Sequence, residues 1–182
     1  MKKIKLSSRD AILEAAFQTF NEKPGASLGD VADRAGVGRA TLHRHFSSRQ
    51  TLMVALAKTA LKELNEAIDT ATADAQSHTE GLRLSLAAVI PLANRQWFLS
   101  HETLEDDPDI ANAHKKEVAV LHREIEAARA EGSFAADLPT MWIAEAYENL
   151  IYAAWTMVRE EEATPTQAAD MAWRTFIKGV SQ

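Results

Sequence analysis

Apolar residues recur at intervals of three and four positions along most of the chain, the spacing of one face of an α-helix. Leu13, Ala16, Phe17 and Phe20 follow this spacing near the start. Similar patterns predict eight helices, at about residues 7–23, 27–36, 38–45, 47–72, 79–97, 107–132, 138–158 and 164–180. No window alternates apolar and polar residues for long enough to predict a strand. The pattern therefore predicts an all-α protein.

Residues that begin or end helices separate these segments. Capping pairs join a Ser or Thr to an acid or amide three positions later, and the predicted pairs are Ser7 with Asp10, Ser27 with Asp30, Ser47 with Gln50 and Thr164 with Gln167. Gly36 is expected to end the second helix in the left-handed conformation. Pro91 is expected to kink the fifth helix, since proline lacks the backbone donor that the helix needs.

The helix lengths predict two domains. Three short helices form an N-terminal helix-turn-helix head over residues 1–50, and residues 51–182 form a C-terminal bundle of about five to six helices. Within residues 141–158, 14 of 18 residues are apolar. A helix that is apolar on every face is expected to be buried on every face.

Charge is divided unevenly between the two regions. The net charge of the 182 residues is −6, but residues 1–58 carry +5 and residues 59–182 carry −11. This asymmetry suggests a basic contact surface on an acidic body, although chance clustering of solvated charges remains the alternative.

Composition excludes several classes of protein. With 46% apolar and 25% charged residues, the chain is neither disordered nor fibrous. The absence of cysteine excludes disulfides, thiolate metal sites and a cysteine nucleophile, and it suits a reducing cytosol. Neither a secretory signal nor an apolar run of membrane-spanning length is present in this sequence. We therefore expect a cytoplasmic protein with no membrane contact.

The third predicted helix presents a polar and basic face. If Leu42 points inward, steps of 100° per residue turn Ala40 and Arg44 outward. Thr41 and His43 flank them. Such a face suits a recognition helix in the major groove of DNA.

These same residues carry a family resemblance. Residues 27–56, and above all residues 35–46 (AGVGRATLHRHF), resemble the helix-turn-helix of the TetR family of bacterial transcription regulators. The match covers about residues 8–56, whereas the body matches in layout only. His43 departs from the family's usual aromatic residue, commonly tyrosine, and Gly38 stands where the family often has serine. The resemblance implies a homodimer that binds double-stranded operator DNA and holds a small-molecule effector.

The face and the resemblance together assign eight DNA-binding candidates, namely Ser27, Arg39, Ala40, Thr41, His43, Arg44, His45 and Arg49. Arg39 and Arg44 are the candidates for base edges, because arginine pairs with the O6 and N7 atoms of guanine. Ala40 suits a thymine methyl group. The resemblance places Thr41, His45 and Arg49 on phosphates, and Ser27 offers a helix N-terminus to a phosphate. His45 has a capping or packing role as its alternative.

Aromatic residues of the body are candidates for an effector pocket. The candidates are Trp97, Phe98, His101, His114, Trp142, Tyr147, Ile151 and Trp155. Large aromatic side chains with a few polar groups suit a cavity for a small hydrophobic or aromatic molecule. The alternative is an ordinary core, and for His114 a hydrogen-bonded core histidine.

The last two helices carry candidates for a dimer interface, which are Ala153, Ala154, Met157, Ala169, Trp173, Phe176 and Ile177. In the resembling family these helices form a four-helix bundle with a second subunit. The alternative is packing within one chain only.

Signatures of catalysis or of a metal site are absent from the sequence. It contains no Glu-x-x-His, no His-Glu-x-x-His and no phosphate-binding glycine loop. We therefore expect no metal, no cofactor and no enzyme. The leading hypothesis is a ligand-responsive regulator, most simply a repressor released from a pseudo-palindromic operator by its effector. The alternatives are a helical binding or adaptor module without operator binding and, last, a small helical enzyme.

Overall fold

The computed structural model describes residues 7–101 and 107–181. Over these residues the chain forms nine α-helices and one 3-10 turn, Ile90–Leu92, with no β-strand. The helices are α1 Ser8–Glu22, α2 Leu28–Ala35, α3 Arg39–His45, α4 Arg49–Thr72, α5 His78–Val89, α6 Ala93–His101, α7 Pro108–Ala130, α8 Thr140–Arg159 and α9 Pro165–Val180. The all-α prediction, with a three-helix head and a larger bundle, is confirmed.

The chain divides into two compact units. The first unit contains residues 1–62 and 94–111, and the second contains residues 63–93 and 112–182. Both α4 and α7 therefore contribute to both units. Residues 94–111 belong with the N-terminal helices, whereas the sequence analysis placed them in the C-terminal domain. The predicted functional boundary at residue 50 stays a prediction.

In the first unit, α1, α2 and α3 pack around one apolar core. Phe17, Phe20 and Leu42 are almost completely buried there. Gly36 ends α2 with φ +66°, a conformation that costs glycine little because it has no Cβ. Its position between α2 and α3 makes the tight turn of a helix-turn-helix.

Capping side chains set where several helices begin, and the Ser27–Asp30 and Thr164–Gln167 boxes form as predicted. The predicted Ser47–Gln50 pair is wrong. Ser48 and Thr51 exchange hydrogen bonds instead, with the Thr51 amide 3.1 Å from the Ser48 hydroxyl. The helix α4 therefore begins at Arg49 rather than two residues earlier.

Pro91 interrupts the predicted helix over residues 79–97. The chain leaves α5 at Val89, makes the 3-10 turn and continues as α6. Because proline has no N–H group to donate, the break falls where the sequence predicts a kink.

In the second unit, α8 packs mainly against α9. Phe176 of α9 makes edge-on ring contacts with Phe134 and Tyr147, at centroid distances of 5.7 and 5.3 Å. The prediction that α8 is buried on every face is wrong within one chain. Met141 and Trp142 are 67% and 63% exposed, and Tyr152 and Met157 are also exposed.

Candidate DNA-binding surface

The helix α3 turns its polar residues outward. Leu42 is fully buried, whereas the side chains of Arg39, Ala40, His43, Arg44 and His45 are exposed and Thr41 is half-buried. One apolar residue thus anchors the helix, and the remaining face is open. Its last turn is basic, and no residue of α3 is acidic. The face is therefore suited to a polyanion.

The N-terminus of α2 is closed by a reciprocal capping box. The Asp30 amide donates to the Ser27 hydroxyl over 3.2 Å, and the Ser27 amide donates to the Asp30 carboxylate over 2.7 Å. This second hydrogen bond lowers the pKa of Asp30. The carboxylate is therefore a fixed negative charge at the helix end that the sequence analysis offered to a phosphate. The phosphate contact of Ser27 stays a prediction.

Arg39 lies across the first turn of α2. A Cβ atom added to Gly29 would lie 3.2 Å from the Nη2 atom of Arg39. The missing side chain at Gly29 therefore makes room for the guanidinium group. Around it lies an open cleft of about 280 Å³ lined by Ser27, Leu28, Gly29, Arg39, Leu42 and His43. The cleft lies between the first turn of α2 and the N-terminal part of α3.

Arg49 makes intramolecular contacts that the sequence analysis did not predict. Its Nη1 and Nη2 atoms lie 2.5 Å from the carbonyl oxygen of Ala26 and 2.6 Å from that of Pro24. The guanidinium carbon lies 4.3 Å from the centre of the Phe20 ring. Its predicted phosphate contact remains a prediction.

Sequence reasoning missed the residues that attach α6 to α1 in the first unit. Arg95 lies 2.6 Å from the Glu14 carboxylate and stacks 4.6 Å from the centre of the Phe17 ring. The Asn21 side chain donates to the carbonyl oxygen of Asn94 over 2.8 Å. Because Glu14 and Arg95 are 81 positions apart, no local pattern could have revealed the pair.

The predicted pocket residues are divided between the two units, and the effector pocket stays a prediction. Phe98 is 1% exposed and packs edge-on against Phe17, with ring centres 5.5 Å apart, in the core of the first unit. It is therefore a core residue of the first unit. Trp142 and His114 are exposed. The predicted pocket residues Trp97 and His101 have side chains outside the described part of the structure.

The three remaining pocket candidates, Tyr147, Ile151 and Trp155, are core residues of the second unit. The Tyr147 hydroxyl donates to the carbonyl oxygen of Leu82 over 2.7 Å, and burial raises the pKa of this group. The Trp155 indole donates to the carbonyl oxygen of Val89 over 3.4 Å. Both polar tips are thus satisfied by the protein itself, which favours the core alternative over a pocket wall.

Two carboxyl groups of the second unit, Glu117 and Glu148, were missed by the sequence analysis. Partial burial raises the pKa of both, and the positive potential of His114 opposes this change in each case. The Asn65 amide donates to Glu117 over 3.3 Å. His114 therefore belongs to a polar cluster and not to an apolar face.

The dimer candidates separate into two groups. Ala154, Ala169 and Phe176 are 4%, 8% and 1% exposed, so their side chains fill the core of one chain and are not available to a second copy. Ala153 and Met157 are exposed, and Trp173 and Ile177 are half-buried. Only this second group remains available for an interface.

No cluster of His, Cys, Asp or Glu in the described parts of the chain is arranged to hold a metal ion. No helix among those residues is both long and apolar enough to cross a membrane.

These features define a class of protein: a two-unit helical protein whose first unit presents a helix-turn-helix with a basic, solvent-facing second helix. Comparison with known proteins narrows the class. Residues 12–56 match the family model described as bacterial regulatory proteins, tetR family. The transcriptional repressor LfrR of Mycolicibacterium smegmatis is 35% identical over 105 residues, which cover 57% of this chain and 56% of that protein. The chain spans about half the length of the curated relatives that it matches at this identity.

Solved structures resemble the chain over nearly its whole length. The structure of LfrR from Mycobacterium smegmatis in complex with proflavine matches with a TM-score of 0.77 and 25% identity, over 96% of this chain and 97% of that one. The ketosteroid regulator KstR2 of Mycobacterium tuberculosis matches with a TM-score of 0.84 and 20% identity, over 98% and 97%, which shows a common fold. The chain therefore matches the TetR family model over residues 12–56 and shares its fold with the TetR-like regulator LfrR.

Proposed function

We propose that the protein is a DNA-binding transcriptional regulator, and specifically a repressor that binds a pseudo-palindromic operator in the cytoplasm. The observation that carries this proposal is the exposed, basic and acid-free face of α3. The +5 charge of residues 1–58 supports it, because an otherwise acidic chain concentrates its positive charge in the segment that contains α3. The 35%-identical relative LfrR is a transcriptional repressor. This supports repression rather than activation.

Within this proposal, the exposed side chains of α3 divide into two roles. Arg39 and Arg44 read base edges, since each guanidinium can donate two parallel hydrogen bonds to a guanine. Ala40 leaves space for a thymine methyl group. Thr41 and His45 lie on the same helix and hold the phosphate backbone, which fixes the position of the helix in the groove.

The proposal requires two copies of the chain, because helix-turn-helix proteins bind paired half-sites as dimers. The exposed face of α8 carries the apolar residues Met141, Trp142, Tyr152, Ala153 and Met157, beside exposed Glu145, Glu148 and Asn149. A second copy that covers it would remove this apolar surface from water. Half-buried Trp173 and Ile177 on α9 extend the same interface.

Control by a small aromatic effector is the last part of the proposal. It is supported by the structure of the relative LfrR, which is a complex with proflavine. An effector that binds the DNA-free state better than the DNA-bound state weakens operator binding. A coupling of about 1–3 kcal/mol is typical and corresponds to roughly 5–150-fold.

Selection of bound sequences from random double-stranded DNA tests the proposed function. Recovery of a pseudo-palindrome with half-site centres about one helical turn apart, or a multiple of it, is the expected result. Proflavine serves as the effector probe in a parallel competition experiment. Recovery of no enriched sequence at moderate salt would contradict operator binding, whereas an operator unaffected by proflavine would reject only that effector.

A further inference from the structure

Arg49 joins three separate elements of the first unit. It is the first residue of α4, its guanidinium stacks on Phe20 of α1, and two of its nitrogen atoms hold the carbonyl oxygens of Pro24 and Ala26. Those carbonyls lie in the turn between α1 and α2. The start of α4 is thereby tied to both the end of α1 and the approach to α2.

The turn that Arg49 holds leads directly to the DNA-facing surface. Ala26 is 1% exposed and precedes Ser27, the residue that caps α2. The carbonyl oxygen of Ala26 needs a hydrogen-bond donor, because leaving a buried acceptor without a partner costs free energy of folding. Arg49 supplies it.

The chemistry of these contacts is specific to arginine. A planar guanidinium presents several N–H donors in fixed directions while its flat face stacks on an aromatic ring. A lysine ammonium is a point charge and cannot hold two carbonyls and a ring face in this arrangement. Two of the five donors of Arg49 already point at main-chain acceptors within the protein.

We propose that Arg49 is a positioning residue that fixes the N-terminus of α2, and through it the helix-turn-helix, on α4. It does not neutralise a DNA phosphate. The inference rests on the proposed DNA-binding function for its effect on affinity, but the internal contacts that carry it do not involve DNA.

Two measurements distinguish a positioning role of Arg49 from a phosphate contact. They are the salt dependence of operator binding and the effect of the conservative variant Arg49→Lys. A phosphate contact contributes about 0.9 to the slope of log affinity against log salt. For a positioning residue, Arg49→Lys and Arg49→Ala both lower operator affinity to a similar extent, keep the base preference and leave the salt slope unchanged. Both also lower the thermal unfolding midpoint in the absence of DNA.

A phosphate contact gives a different pattern. Arg49→Lys would then retain the affinity and slope of the wild type, and Arg49→Ala would reduce the slope by about 0.9 without changing the unfolding midpoint. That pattern would overturn the inference. Arg44→Lys is the matched control, because Arg44 is exposed on α3 and its replacement leaves the unfolding midpoint unchanged.

Failure of the proposed DNA-binding function would be distinguishable from failure of the inference about Arg49. If the wild type binds no DNA sequence preferentially, the function fails while the unfolding experiment still tests the positioning contacts. An Arg49→Lys variant with a wild-type unfolding midpoint would overturn the inference whatever the DNA result. Arg49→Lys keeps the charge and most of the side-chain length, so the experiment does not depend on the folding of the alanine variant.

Discussion

Two helices of this protein leave one face uncovered, and the two faces differ in chemistry. The face of α3 consists of arginine, histidine, threonine and alanine, whereas that of α8 includes methionine, tryptophan and tyrosine. Water solvates the first face well and the second poorly. A solvated basic face is suited to an anionic partner, while exposed apolar side chains mark a site of association.

The comparison assigns different partners to the two faces. In the proposed function, the basic face of α3 binds DNA in a salt-dependent manner, because binding releases counterions from the phosphates. The exposed face of α8 then binds a second copy, and this contact responds less to salt. Mutations on the two faces should therefore produce separable defects.

A charge introduced on the exposed face of α8 should produce the largest defect, which is loss of the dimer. Tyr152→Asp replaces an exposed aromatic side chain with a carboxylate on the face that the proposed dimer buries. Central interface residues contribute about 2–4 kcal/mol, so we expect loss of the dimer in analytical ultracentrifugation and weaker operator binding. Val120→Asp, on the exposed surface of α7, is the control and should remain dimeric. A Tyr152→Asp variant with an unchanged sedimentation coefficient would contradict the assignment of this face.

Removal of a base contact should have the next largest effect. Arg44→Ala should lose about 1–3 kcal/mol of discrimination at one base pair in each half-site. The measurement compares operator variants at that position by fluorescence anisotropy. Arg174→Ala on α9 removes an exposed arginine of the second unit and should leave discrimination unchanged. Equal loss at every base position would instead place Arg44 on the phosphate backbone.

Gly29 should respond to alanine with a gain in stability. The added Cβ would lie 3.2 Å from the flexible end of Arg39, which can move, and alanine favours the helix by up to about 1 kcal/mol over glycine. Gly36→Ala is the matched control with the opposite sign, because φ +66° costs a residue with a Cβ about 1–2 kcal/mol. Chemical denaturation measures both. A destabilised Gly29→Ala variant would show that Arg39 is fixed rigidly against α2.

A pH effect on the second unit should be the smallest. A hydrogen bond to Glu124 at 2.8 Å raises the pKa of His78. A histidine whose pKa is higher in the folded than in the unfolded state stabilises the folded protein fully at pH values below the unfolded-state pKa of about 6.5. This stabilisation is lost as the pH rises through the folded-state pKa. Unfolding midpoints should therefore decline slightly across that window in the wild type. His78→Ala should remove this component, and an unchanged pH profile in the variant would contradict the role of the ion pair.

Local sequence patterns were sufficient for the helices and for the direction of α3. Gly36, the Ser27 cap and the buried position of Leu42 all depend on neighbours within a few residues. The start of α4 shows the limit of such reasoning. Ser47 and Ser48 are equally good caps by composition, and the sequence alone does not show the contacts that hold Arg49 at the first position of the helix.

Contacts between distant residues were beyond the reach of the sequence. As an aromatic residue of the predicted C-terminal domain, Phe98 is a candidate for the effector pocket, yet it packs against Phe17. On α8 and α9, apolar residues occur on nearly every face, so periodicity cannot distinguish buried Ala154 from exposed Ala153. Four of the seven dimer candidates are exposed or half-buried, only long-range packing separates them from the other three, and the interface stays a prediction.

The ratio of operator to random-DNA affinity tests the central claim most directly, since that claim assigns α3 to sequence reading. The operator obtained by selection and a scrambled duplex of equal length are titrated at one physiological salt concentration. We predict preference for the operator by about 10³-fold or more, with the preference reduced by Arg44→Ala and retained by Arg174→Ala. Equal affinity for the two duplexes would contradict the account.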